Sequence, residues 1–83
     1  MSIHDRWYET LVYIKSNDSS MYKMALYILN DDEYLAIEFL KSKFGFGSAN
    51  CHRIFLEIKK TYSVLQLRGL VKYIEKHTPE YAI

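Results

Sequence analysis

The sequence predicts an all-α domain of four or five short helices, and three observations carry that reading. Apolar residues recur at spacings of three and four along most of the chain, the period of a helix face. Clusters of Ser, Asn, Asp or Gly interrupt this pattern at helix-length intervals. Hydrophobic residues make up 49%, against three glycines and one proline, which suits a packed helical core and argues against disorder. A chain of 83 residues has room for one domain, read as 1–83. Domains of this size are marginal, so a homodimer interface is an expected supplement to the core.

Residues 5–15 align Trp7, Tyr8, Leu11 and Val12 along one helical stripe. The run Ser16-Asn17-Asp18-Ser19-Ser20 breaks it, because these side chains compete for backbone hydrogen bonds. Ser19 or Ser20 is placed to cap a second helix carrying Met21, Met24, Ala25, Tyr27, Ile28 and Leu29. Asn30-Asp31-Asp32 is the next stop and cap, since carboxylates favour a helix N-terminus. A third helix then buries Leu35, Ala36, Phe39 and Leu40. Gly45 and Gly47, on either side of Phe46, end it sharply, and Ser48 is placed to cap a fourth helix. That helix turns Cys51, Ile54, Phe55 and Ile58 inward. Residues 33–44 and 48–60 thus form a helix, a short glycine turn and a helix, the helix-turn-helix pattern.

Residues 63–76 admit two readings. Val64, Leu67, Leu70, Val71 and Ile74 fit a helix, while Arg68-Gly69 as a turn would make two short strands, a wing. The helix is preferred, because Arg-Gly is a poorer hairpin signal than Asn-Gly. Thr78-Pro79 stops it, and the tail from Glu80 to Ile83 is either loose or docked through Tyr81 and Ile83.

Charge is segregated along the chain. Residues 1–40 carry three cations against seven carboxylates, net −4; residues 41–83 carry eight against three, net +5. The second half is therefore the half suited to phosphates. A lone cysteine, Cys51, excludes an internal disulfide and a multi-cysteine zinc site. The segment Met1-Ser2-Ile3-His4-Asp5-Arg6 lacks the basic start and apolar run of a secretory signal. No apolar stretch approaches the ~18 residues that span a bilayer. A cytoplasmic protein with no membrane contact is the expectation.

Catalytic and metal constellations are missing from the sequence. His4, His52 and His77 lie in separate segments, without the four-residue spacing of a helical metal site. Cys51 and His52 are neighbours in sequence but face different sides of a helix. Asp31-Asp32-Glu33 lacks the glycine and distal glutamate of a calcium loop. Gly45 and Gly47 lack the third glycine of a dinucleotide turn and the lysine of a phosphate loop. The expectation is a non-enzymatic protein without cofactor or metal.

The run from Leu40 through Phe44, Phe46, Gly47, Arg53 and Ile54 resembles the helix-turn-helix of the winged-helix gamma domain of bacterial septal DNA translocases. The resemblance covers about residues 25–62 and implies DNA recognition by the second helix of the pair. That family reads DNA through an asparagine and two arginines near the start of this helix. Ala49 stands at the asparagine position, Asn50 at the first arginine position, and Arg53 matches the second.

Two function classes follow. In the preferred one the chain is a small DNA-binding transcription regulator. Ser48, Asn50, His52 and Arg53 meet base edges; Lys41, Lys43, Lys59, Lys60, Arg68 and Lys72 meet phosphates. In the alternative it is a protein-binding regulator or inhibitor of phage, virus or plasmid type. It would contact a host protein through an acidic aromatic face containing Trp7, Tyr8, Tyr13 and Tyr22.

Overall fold

A computed structural model describes residues 6–78 and Glu80. The described residues form five helices: α1 (Arg6–Ser16), α2 (Asp18–Leu29), α3 (Glu33–Phe44), α4 (Ser48–Thr61) and α5 (Val64–His77). The domain is all-α. The wing alternative for residues 63–76 does not form, because Ser63 nucleates a helix. Its Oγ accepts the Gln66 N–H at 3.1 Å, and the Gln66 side chain returns to accept the Ser63 N–H at 2.8 Å. This reciprocal capping box settles the segment as α5, and it is readable as Ser-x-x-Gln.

The other boundaries follow from their caps. Asn17, and neither Ser19 nor Ser20, caps α2, with its Oδ1 accepting the Ser20 N–H at 3.0 Å. Ser20 instead lies in the first turn, fully buried, with its hydroxyl unpartnered. After α2 the backbone turns through Asp31, at φ 54 in the left-handed region. There the Asp31 and Asp32 amides donate to the carbonyls of Ile28 and Tyr27, which closes a Schellman turn. Asp32 then caps α3, its Oδ1 accepting the Leu35 N–H at 3.1 Å. Gly45 closes α3 at φ 74, where its N–H donates to Lys41. The expected serine cap on α4 is displaced by one residue: Gly47 holds the cap position and Ser48 is the first helical residue.

The core forms around α2, which packs along α5 and against α1, α3 and α4. Met24 and Ala25 are fully buried there. Leu40 of α3, Phe55 of α4 and Leu67 of α5 meet them in one cluster. In α1 the buried stripe is Leu11 and Ile14, with Trp7 packed at its edge; Tyr8 and Val12 face outward. Six hydrophobic residues in the eight from Trp7 to Ile14 span more than one face, and docking α1 against both α2 and α4 selects the rotation that buries Ile14. Leu35, also expected inside, is exposed for the same kind of reason, while Ala36 and Leu40 carry the α3 contact.

Tyr22 is a second correction. It is buried, 7% exposed, and its hydroxyl donates to Glu75 Oε2 at 2.7 Å, tying α2 to α5. A residue so placed serves the core and is not part of an open interface. The outer side of α5 carries costs with no internal return. Arg68, Lys72 and Lys76 repeat every fourth residue, and like charges so spaced cost about 0.2–0.5 kcal/mol per pair. Gly69 lies among them, about 1 kcal/mol less favourable than alanine within a helix.

Replacing Tyr22 by Phe removes a charge-assisted hydrogen bond and should lower stability by about 1.5–3 kcal/mol in denaturant melts. Ser20→Ala removes a buried, unpartnered hydroxyl and should raise stability by about 1 kcal/mol. A loss on Ser20→Ala would mean that the hydroxyl has a partner.

Candidate nucleic-acid interface

The start of α4 is built by the connection before it. Phe46 packs against the core, and the Cys51 thiol reaches back to its carbonyl at 3.7 Å. The first α4 bond runs from the Cys51 N–H to the Gly47 carbonyl. The amides of Ser48, Ala49 and Asn50 therefore have no helical partner. No side chain caps them, and the first turn holds no acidic residue. This end of the helix thus keeps its full positive dipole facing outward.

Ser48, Asn50, His52 and Arg53 are all exposed, but in different states. Ser48 and Asn50 make no side-chain hydrogen bond or ion pair among the described residues. The His52 Nδ1–H donates to Glu33 Oε2 at 2.7 Å, an exposed pair worth about 0.2–1 kcal/mol. Arg53 lies over the indole of Trp7, Cζ 4.3 Å from the ring centroid. At an exposed site such a contact contributes about 0.5–1 kcal/mol. Tyr8 meets the edge of Trp7 at 5.9 Å. A residue expected to read bases and one expected to face a protein thus form a single contact.

The structure adds a group the sequence did not single out. Arg6 sits over the Phe46 ring at 5.3 Å, beside the connection that leads into α4. Arg6 thus stands by the connection into α4, and Arg53 projects from the second turn of that helix. Arg6 precedes Trp7 in sequence, but nothing local says that α1 packs against α4.

The expected phosphate contacts do not form one surface. Lys41 and Lys43 occupy the last turn of α3, next to the connection. Lys41 lies 4.0 Å from Glu38, and Lys43 lies over the Phe39 and Phe44 rings. Lys59 and Lys60 are at the far end of α4, about 15 Å along the axis from Asn50. There Lys59 approaches Asp31 at 3.9 Å, while Lys60 has no ion pair among the described residues. Arg68 and Lys72 project from α5, which packs on α2.

Known proteins add nothing to this geometry. The chain matches no protein-family model, no curated protein and no solved structure.

Among the remaining expected contacts, Tyr13 is exposed and meets the edge of Phe44 at 5.9 Å, away from Trp7. Between α2 and α3 lies an open groove of about 510 Å³ with Tyr27 and Phe39 in its wall and Lys23 and Lys43 over Phe39. No group of three metal-ligating side chains gathers among the described residues. His77 donates from Nδ1 to the Tyr73 carbonyl at 2.8 Å. Cys51 is buried, and desolvation pushes its thiol pKa up, with Lys41 opposing and Glu38 adding to the rise. No described helix is long and apolar enough to cross a membrane.

Trp7 is the one tryptophan of the chain, so its emission reports this site directly. Arg53→Ala should shift that emission while lowering stability by no more than about 1 kcal/mol. An unchanged spectrum would mean that the guanidinium does not rest on the indole in solution. Because burial disfavours the thiolate, Cys51 should resist iodoacetamide in the native protein at neutral pH and react freely in denaturant.

Proposed function

We propose that the chain is a small DNA-binding regulator that sets the N-terminal end of α4 against duplex DNA. The observation that carries the reading is a convergence at one exposed helix end. Uncapped amides and the free side chains of Ser48 and Asn50 stand at that end, with Arg6 over Phe46 of the connection before it and Arg53 projecting from the second turn of α4. The amides and the dipole suit a phosphate oxygen. Asn50 suits the adenine edge and Arg53 the guanine edge, each through a bidentate contact. Lifting Arg53 from Trp7 costs about 0.5–1 kcal/mol, whereas a bidentate base contact discriminates by about 1–3 kcal/mol. The exchange is favourable at a matching site, and the stacked arginine is held ready rather than lost.

Lys41 and Lys43, beside the connection, supply the flanking phosphate contacts in this reading. Lys59 and Lys60 reach a neighbouring stretch of backbone. The likeness of residues 40–54 to a DNA-reading helix pair supports the same orientation. A homodimer would present two such ends and offset the low net charge of +1.

The test is binding to a mixed pool of duplex DNA over a salt series. With about four phosphates neutralised, log affinity should fall with log salt at a slope of about −3 to −4. Lys41→Ala/Lys43→Ala should weaken binding to all sequences alike. Asn50→Ala and Arg53→Ala should each cost about 1–3 kcal/mol at the preferred site and flatten the preference. No binding at low salt by folded protein would sink the reading.

A further inference from the structure

We propose that the outward face of α5 is a docking surface for an acidic amphipathic helix of a partner protein, a reading independent of DNA binding at α4. Leu65, Gly69 and Tyr73 repeat at every fourth residue along this face, and Leu65 is 78% exposed. Beside them runs a second row, Arg68, Lys72 and Lys76, at the same spacing. No member of that row has an ion pair among the described residues. The one carboxylate of α5, Glu75, is half-buried at the edge of that row, where it accepts a hydrogen bond from the Tyr22 hydroxyl of α2.

Gly69 decides the kind of partner. A Cβ added there would meet nothing within 4 Å, so no contact inside the domain requires the glycine. Its place in the middle of a solvent-facing row is a loss to the isolated helix. Against a second helix it becomes a gap between two ridges, where another backbone approaches closely between Leu65 and Tyr73. The cationic row then lies alongside and calls for carboxylates on the incoming helix. A phosphate backbone would use the cations but neither the apolar row nor the gap. Charge and shape together therefore select an acidic helix.

The probe is a synthetic helix of about 20 residues, long enough to be helical on its own, with leucine and alanine along one face and glutamate every fourth residue beside them. Its control carries lysine in place of glutamate. Fluorescence anisotropy should show saturable binding of the acidic helix alone. Lys72→Glu/Lys76→Glu and Gly69→Gln should each weaken it about tenfold or more, with folding of each variant checked by circular dichroism. Lys59→Glu/Lys60→Glu on α4 should leave it unchanged. The proposal falls if the acidic helix fails to saturate, if the lysine control binds equally, or if Gly69→Gln binds like the parent. It also falls if duplex DNA, and not the peptide, is released by Lys72→Glu/Lys76→Glu; Arg53→Ala judges the α4 reading separately. Sedimentation of the protein alone completes the set: a dimer made monomeric by Gly69→Gln would make a second copy the occupant and overturn the proposal.

Discussion

Everything in this domain depends on the burial of α2 among the other helices. A helix of 12 residues cannot stabilise itself in water, and this one must satisfy four neighbours at once. It does so with unlike side chains. Met24 and Ala25 disappear into the core, and Tyr22 combines ring burial with a hydrogen bond to the carboxylate of Glu75. Burial of Leu67, Val71 and Ile74 sets the rotation of α5, and that bond adds to it. Arg68, Lys72 and Lys76 then face outward, and with Glu75 bonded to Tyr22 they have no ion pair among the described residues. The basic face of α5 is thus a consequence of how the core is closed.

The α4 end has a similar origin. Packing of α1 against α4 brings Arg6 and Trp7 beside residues far from them in sequence. The acidic half of the chain therefore contributes a cation and an aromatic ring to the basic half. His52 and Glu33 join the halves again through an exposed pair. The two function classes separated by sequence share this ground, because Trp7 supports the arginine expected to read bases.

The helices were legible because period, breaks and caps agree along the chain. Ser63 and Gln66 write a capping box, Gly45 writes a left-handed stop, and Asp32 writes a start. Rotation was less legible. The apolar residues of α1 are spread too widely to choose between Val12 and Ile14, and only contact with two other helices chooses. Capping by Asn17 rather than Ser19 or Ser20 was equally hidden, because five successive polar residues all suit the role. At the candidate site, exposure of Ser48, Asn50, His52 and Arg53 followed from the helical period. The stacking of Arg53, the position of Arg6 and the burial of Tyr22 did not, because each is a contact between distant segments.

The connections between helices are as short as the geometry allows. One residue separates α1 from α2, three separate α2 from α3 and α3 from α4, and two separate α4 from α5. Most of them are also spent on caps, so none is spare. An inserted residue would have to unwind a cap or rotate a whole helix, and loops ordinarily absorb such changes. The domain can therefore drift in composition but hardly in length between its first and last helix. Kinship with this fold would be preserved as a pattern of intervals long after the residues themselves had been replaced.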